Sequence, residues 1–275
     1  RRLDGLPLAL ELAASRLASL TPGELLERLR ARLELGSGGG RALGDSEGGQ
    51  SCAAARHRTL KAVVDWSYDL LEEGQRALLA RLSVFRGSFD LSAAEAVSPA
   101  GGGEDWAETA DGLTSLARRS LLKRRAEGGG VRYSLLETIR SYAAERLGEG
   151  EDGARAERSH ALHFLELAEA EGPALKGPDQ LSALRRLGLE EGNLRAALER
   201  LIASGSAREA LRLCAALAWY WYRAGRFEWG RRGLEAALAL PAPEDAAGLR
   251  GSCLRALGWL RFTQGAWHEA HALYL

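Results

Sequence analysis

Clusters of glycine are the feature of this sequence that most constrains its fold. Of the 275 residues, 33 are glycine, and they concentrate at 36–49, 101–103, 128–130 and 148–153, between stretches rich in leucine and alanine. Glycine interrupts helices because it loses the most backbone freedom on folding, so such clusters are typical of loops and linkers. The sequence therefore predicts several helical segments separated by linkers.

Composition excludes several classes of partner. The chain has 37 Lys and Arg against 37 Asp and Glu, so its net charge is zero and gives no basic field for nucleic acid or an anionic membrane. It has no apolar run of about 18 residues, as a transmembrane helix needs, and no signal peptide. The scattered Cys52, Cys214 and Cys253 favour a reducing compartment, so we expect a cytoplasmic protein without membrane contact. Methionine is absent, which favours a fragment of a longer polypeptide.

Residues 1–35 are predicted to be helical, and 36–56 to form a flexible linker. Thr21, Pro22 and Glu24 occupy the N-cap, N1 and N3 positions of a capping box, and leucines follow at helical spacing. A phosphate-binding loop follows a strand, whereas the glycine run in this linker follows a helical segment and precedes no Gly-Lys-Ser/Thr sequence. We therefore interpret the run as a linker.

Residues 57–148 have the inventory of a winged helix. Apolar spacing and capping signals, including a capping box at Ser92 and Glu95, predict five helices. These helices lie near 60–71, 78–85, 92–97, 106–116 and 136–147. Residues 121–125 and 131–135 are predicted to pair as a β-hairpin across the third glycine cluster, with apolar and polar residues alternating along the second strand.

Residues 154–275 are predicted to form an α-solenoid of tetratricopeptide-like helical hairpins. In two stretches a turn glycine, Gly225 or Gly265, is followed two positions later by an aromatic residue, and this spacing is typical of helix–turn–helix repeats. A capping box at Ser206 and Glu209 begins one of the helices. The predicted fold is mainly α: a helical subdomain, a winged helix with one small β-hairpin, and a truncated solenoid.

No catalytic constellation is present in the sequence. The pairs His160/His163 and His268/His271 stand at i, i+3, whereas the zinc-protease motif needs i, i+4 with a glutamate directly after the first histidine. The cysteines have no CxxC partner, and no serine lies in a Gly-x-Ser-x-Gly elbow. We interpret the histidines as surface or partly packed residues and the cysteines as small core residues, and we predict no enzyme activity or metal site for this chain.

A basic cluster lies beside the predicted hairpin and comprises Arg118, Arg119 and residues 123–125. It can contact phosphates, or it can be a solvated strand pair or a surface that docks on another domain. Reading bases requires an exposed recognition helix with suitable polar side chains, and the helix at 92–97 carries Ala-Ala-Glu-Ala instead. DNA binding through this module is therefore disfavoured.

An aromatic patch near the end of the chain is the densest in the sequence. Four aromatic residues in a row cannot share one face of a helix, so core packing explains part of the patch. The alternative is a concave face that binds a peptide or ligand. The candidate partner-binding residues are Trp219, Trp221, Tyr222 and Trp229.

Several motifs occur in an order that resembles a known family. Residues 5–10 read GLPLAL, and 58–71, 82–89 and 133–143 resemble parts of a bacterial winged-helix domain. This ordered set covers essentially the whole chain and resembles the NB-ARC/STAND-type predicted ATPases of bacterial LuxR-like transcriptional regulators. In that family GLPLAL begins the helical subdomain after the nucleotide-binding core, so the resemblance places residues 1–35 there.

The resemblance implies a site for ADP or ATP with Mg²⁺, shared with an upstream nucleotide-binding domain. Pro7 matches the family proline that packs near the adenine, and Gly5 and Leu6 belong to the same candidate site. Leu136 stands where many members have a histidine that senses the diphosphate, and leucine cannot donate a hydrogen bond to phosphate. The phosphate-binding loop, its lysine and the acidic Mg²⁺ ligand are expected before Arg1.

The resemblance predicts the regulatory and sensor part of a STAND-type ATPase and transcriptional regulator. The repeats would bind a protein or small-molecule inducer, and DNA would be bound only through a domain outside this chain. The alternative is a stand-alone winged-helix and repeat protein that acts as a scaffold or binds DNA without nucleotide.

Overall fold

The computed structural model describes Leu12, Ala14, Glu27 and residues 21–24, 61–98, 106–241, 244–265 and 267–272. The candidate nucleotide-site residues Gly5, Leu6 and Pro7, the predicted linker at 36–56 and Cys52 lie outside these residues.

The capping box at Thr21 is confirmed. The Thr21 backbone N–H donates to Glu24 Oε2 at 2.9 Å, and the Glu24 N–H donates back to Thr21 Oγ1 at 3.4 Å. Two of the donors left free at a helix N-terminus are satisfied in this way.

The first unit of the fold consists of helices around one β-hairpin. Its elements are α1 (61–69), α2 (Glu73–Leu82), α3 (Leu91–Val97), α4 (Trp106–Arg118), β1 (Lys123–Glu127), β2 (Gly130–Ser134) and α5 (Glu137–Leu147). The two strands pair antiparallel with Lys123 opposite Ser134, and Phe89, just before α3, forms a further antiparallel bridge with Tyr133. We call the part from α2 to α5, residues 73–147, the winged-helix unit; α1 precedes it.

Two local predictions in this unit are wrong. The cap of α3 is Asp90, whose Oδ1 accepts from the Ala93 N–H at 2.9 Å, and not Ser92, which lies inside the helix. Along β2, simple alternation predicts Val131 inside and Arg132 outside, but Val131 is exposed and Arg132 is buried. Arg132 is buried because the second face of the hairpin is covered by the helices that follow.

Those helices form the second unit, which we call the helical array (residues 151–272). Its elements are α6 (Glu151–Glu171), a 3-10 turn (Pro173–Lys176), α7 (Gln180–Leu189), α8 (Glu191–Ala203), α9 (Ala207–Arg223), α10 (Phe227–Ala239), a 3-10 turn (Glu244–Ala246), α11 (Ala247–Thr263) and α12 (Trp267–Ala272). Gly225 and Gly265 occupy equivalent turns with positive φ values of 68° and 82°. Ser206 precedes α9 as predicted, but its side chain makes no capping hydrogen bond.

Successive helices of the array pack as neighbouring hairpins. The helix α10 lies against both α9 and α11, and α9 also packs on α11 and α6. A Cβ at Gly230 would lie 2.8 Å from the Trp221 ring, so the absence of a side chain there lets α10 approach α9. The prediction of a mainly helical chain with one small hairpin and a winged helix is confirmed, while assignment to tetratricopeptide repeats stays a prediction.

Candidate functional site at the junction of the two units

The loop between α2 and α3, residues 83–90, joins the winged-helix unit to the array. Its Phe85 stacks on Phe89 with ring centroids 4.1 Å apart, and it meets His160 and Phe164 of α6 edge-on at 5.2 and 6.2 Å. All four side chains are buried. One aromatic core therefore spans both units.

The backbone of this loop is hydrogen-bonded by side chains of α8. The Arg86 N–H donates to Asn193 Oδ1 at 2.8 Å, and Asn193 Nδ2 donates to the Ser88 carbonyl at 2.9 Å. Arg200 Nη2 donates to the Val84 carbonyl at 2.7 Å. Buried peptide groups need such partners, and here the array supplies the partners of a winged-helix loop.

Close approach of the loop to α8 depends on Gly192. A Cβ at this position would lie well inside van der Waals contact of the Arg86 carbonyl oxygen and 3.1 Å from its carbon. Both partners are backbone atoms of a packed segment, so they have little freedom to move away. Glycine at 192 is therefore a requirement of the junction.

A buried ion pair fixes the second strand of the wing to the array. Arg132 Nη1 lies 2.6 Å from Glu190 Oε1, and both side chains are 7% exposed. Arg132 also donates to Ser88 Oγ and the Ser88 carbonyl, each at 2.8 Å, while Glu190 Oε2 accepts from Asn193 Nδ2 at 3.0 Å. Glu190 is the single residue between α7 and α8, so the turn itself positions the carboxylate.

The turn of the hairpin also rests on the array. Gly128 has a φ of 65°, and a Cβ there would lie 2.9 Å from Leu189 Cδ1 of α7. A further link runs from Arg81 of α2, whose Nε donates to Asp152 Oδ2 of α6 at 3.1 Å. The wing is thus held at its strand, at its turn and through the α2–α3 loop.

His160 lies at the centre of the junction, which corrects its interpretation as a surface or partly packed residue. The side chain is completely buried, and Arg200 Nη1 donates to its Nδ1 at 2.8 Å. Since guanidinium has no acceptor, Nδ1 must be unprotonated. Burial, together with the nearby Arg200 charge, holds the pKa of His160 well below its usual value, so the imidazole is neutral at pH 7.

The helix that would read DNA in this unit is α4, and the charged side chains exposed on its first two turns are acidic. In a helix-turn-helix the second helix enters the major groove, and this helix is α4 rather than the helix at 92–97 considered from sequence. Ala93, Ala94 and Val97 of α3 are buried, and α3 packs on α6. The exposed side chains of α4 include Glu108 and Asp111. With Glu73 of α2 and Glu72, the N-cap residue before it, these two residues line a cleft of about 650 Å³.

The basic cluster lies at the other end of α4. Arg118 and all of β1, including Lys123, Arg124 and Arg125, are exposed, whereas Arg119 donates to the Leu70 carbonyl at 3.4 Å. Arg118 and residues 123–125 are therefore accessible to an anion, although the turn of the wing beside them is docked on α7.

The candidate partner-binding aromatic residues separate into an inner and an outer group. Trp221 is completely buried and packs on Trp229 at 5.6 Å, so its ring cannot contact a partner. Trp219 and Tyr222 are half-buried and both meet Trp259, at 4.5 and 4.4 Å. Sequence spacing did not distinguish the two groups, and partner binding by any of them stays a prediction.

Cys214 and Cys253 are core residues, as predicted. Both are completely buried, and burial raises the pKa of the Cys253 thiol to about 12. Among the described residues no group of three or more His, Cys, Asp and Glu side chains is placed to hold a metal ion. Within the same part of the chain, none of the helices combines the length and apolar character that crossing a bilayer requires.

The junction residues Arg132, Glu190, Asn193 and Arg200 were not identified from the sequence. One signal was available, because Gly192 and Asn193 interrupt a helical segment rich in leucine and alanine although both are poor helix formers. Such a pair inside a helix indicates a close approach or a buried polar contact, and the structure shows both.

Comparison with known proteins agrees with this architecture. Residues 71–148 match the family described as winged helix-turn-helix domain. The chain is 38% identical over 222 residues to "Putative HTH-type transcriptional regulator Rv0890c" of Mycobacterium tuberculosis strain H37Rv, covering 81% of this chain and 24% of that protein. It is 40% identical over 149 residues to uncharacterized protein Rv0894 of the same strain, covering 54% of this chain and 35% of that protein. No solved structure matches the chain.

The chain therefore spans between about a quarter and about a third of the length of these curated relatives. It contains a winged helix-turn-helix domain at 71–148 that is fixed to a helical array, and it is similar to proteins named as transcriptional regulators.

Proposed function

We propose that this chain is the regulatory and sensor portion of a STAND-type transcriptional regulator, in which the helical array binds an inducer and the winged-helix unit transmits its state to a nucleotide-binding domain. The observation that carries the proposal is the docking of the wing on the array through Arg132 and Glu190. A unit held in this way moves with the array, so a change in α7 or α8 is transmitted to the winged helix.

The same geometry supports a winged helix that contacts protein rather than DNA. Its recognition helix presents Glu108 and Asp111, which repel phosphates, and its wing turn packs on Leu189. DNA would then be bound through a domain outside this chain. Similarity to relatives named as HTH-type regulators supports a role in transcription.

The second candidate is direct DNA binding by the winged-helix unit, and the exposed Lys123, Arg124 and Arg125 favour it. Fluorescence anisotropy with a labelled duplex of random sequence separates the two candidates. If the winged-helix unit contacts protein, the double variant Arg124→Gln with Arg125→Gln should not weaken any binding of the chain to the duplex at physiological salt. Binding whose log–log salt slope falls by about 1.8 in that double variant, about 0.9 for each lost phosphate contact, would instead establish the DNA-binding alternative. Arg208→Gln with Arg232→Gln, in exposed parts of the array, is the matched control.

The nucleotide part of the proposal rests on the resemblance alone. It requires that a polypeptide extending before Arg1 binds ADP and that Pro7→Ala weakens this binding, which a fluorescent ADP analogue measures. Unchanged affinity in the variant would remove Pro7 from the site, and absence of ADP binding would remove the nucleotide from the proposal.

A further inference from the structure

The helical array carries an open groove that the contacts between the two units do not use. It has a volume of about 550 Å³ and lies between α9 and the point where the chain leaves α6. Gly172, just after α6, lets the chain approach α9 closely, since a Cβ there would lie 3.2 Å from the Ala216 carbonyl oxygen. Ala215 and Ala216 form the floor, and Pro173 and Leu249 line the sides.

One wall of the groove is an indole ring that is held by neighbouring side chains. Trp219 lines the groove and meets Trp259 and Tyr222 edge-on, with centroids 4.5 and 6.0 Å away. The Arg223 guanidinium lies 5.4 Å from the same ring. A ring held by these neighbours is rigid, so a ligand that packs against it loses little conformational entropy of the protein on binding.

One of the two cationic side chains that line the groove, Lys176, has no carboxylate partner among the described residues. Arg212 is neutralised by Glu169, which accepts from its Nε at 2.8 Å and its Nη2 at 2.6 Å. Lys176 Nζ lies over the Trp219 ring, 5.6 Å from its centroid, and no carboxylate of the described residues pairs with it. The side of the groove next to Trp219 is therefore cationic.

We propose that this groove binds a small organic monocarboxylate with a flat apolar body. The carboxylate pairs with Lys176 Nζ, and the body packs against Trp219, Ala215 and Ala216. The volume lies within the range of about 300–1,000 Å³ found for small-molecule sites, and the walls combine apolar surface with a few polar groups, as such sites do. Only the role of this ligand rests on the proposed sensor function: if the array is a sensor, the monocarboxylate is the class of inducer that it binds.

Isothermal titration of the 275-residue chain with two probes tests the site. The probes are naphthalene-1-acetate and the uncharged naphthalene-1-acetamide, which has the same shape. We expect the carboxylate to bind about tenfold more tightly than the amide, which corresponds to about 1.4 kcal/mol. Lys176→Gln should bring the Kd of the carboxylate to that of the amide, whereas Trp219→Ala should weaken both probes. Lys123→Gln, the same change on exposed β1, should alter neither.

Equal affinity for the two probes, or a carboxylate affinity that Lys176→Gln leaves unchanged, would overturn the proposal. Absence of binding of both probes at millimolar concentration would overturn it too, as would binding of an acidic peptide but not of the small acid. Lys176 is exposed, so its variant should fold even if Trp219→Ala does not. None of these results bears on DNA or ADP binding, which test the proposed function separately.

Discussion

Replacing Glu190 by glutamine tests whether the buried ion pair holds the two units together. Glutamine keeps the shape of the side chain but removes the counter-charge of Arg132, whose side chain is 7% exposed. Removing one member of a buried pair costs about 3–5 kcal/mol because the other charge stays buried without compensation. Ser88 still supplies two acceptors to Arg132, so we expect a loss near the lower limit, about 3 kcal/mol.

Urea unfolding followed by tryptophan fluorescence measures this loss, and Glu171→Gln is the matched control. Glu171 pairs with Arg186 at 2.6 Å, but the Arg186 side chain is 50% exposed, and an exposed pair contributes less than about 1 kcal/mol. Amide hydrogen exchange gives a local measurement. In Glu190→Gln we expect exchange to accelerate in β1 and β2, because the strand that carries Arg132 loses its attachment to the array.

The reasoning fails if Glu190→Gln costs no more than Glu171→Gln, or if exchange in the hairpin does not change. A double-mutant cycle with Arg132→Met sharpens the test. The double variant leaves no buried charge at either position, so it should be destabilised by less than the sum of the two single variants. Additive losses would show that the two side chains act independently.

Two further predictions concern the same junction. Gly192→Ala should lower the free energy of unfolding by about 2 kcal/mol, since the new methyl group clashes with the Arg86 carbonyl. The control Gly251→Ala, in open space on α11, should raise the free energy of unfolding by up to about 1 kcal/mol. Equal shifts of the urea midpoint in the two variants would contradict the close approach at Gly192. The lowered pKa of His160 means that the folded state resists protonation, so stability is full above pH 6.5 and falls by up to about 1.4 kcal/mol per pH unit as the pH drops from 6.5 toward the folded pKa. Urea titrations of His160→Gln should show a flatter dependence between about pH 6.5 and 5, and an unchanged slope would assign the titration to another group.

Helices and turns of this chain were predictable because local signals determine them. The two helix–glycine–aromatic stretches fold as equivalent hairpins, with Gly225 and Gly265 both at positive φ, where glycine has no steric penalty. The hairpin was also predicted, although β1 begins two residues later than expected, at Lys123. Periodicity and turn chemistry depend on a few consecutive residues, so they can be recognised in a single sequence without knowledge of the tertiary packing.

The candidate site was not predictable in the same way, because it depends on which surfaces meet. Alternation along β2 assumes one solvated face, and the array covers that face, so Arg132 is buried while Val131 is exposed. The acidic residues exposed on the first two turns of α4 were missed because the helix at 92–97 was taken as the base-reading helix. Packing of α3 on α6 excludes that role, and sequence periodicity does not report such packing.

Four residues of the junction are joined in a closed ring of hydrogen bonds and one ion pair, which couples the wing to the turn between α7 and α8. Ser88 accepts from both Arg132 and Asn193, Asn193 also donates to Glu190, and Glu190 pairs with Arg132. Loss of any one member weakens the contacts of two others, so the members of the ring stabilise one another. Under the proposed sensor function, a displacement of the turn between α7 and α8 would therefore act on the wing through several contacts at once, and such coupled contacts are what connects a sensor to its output.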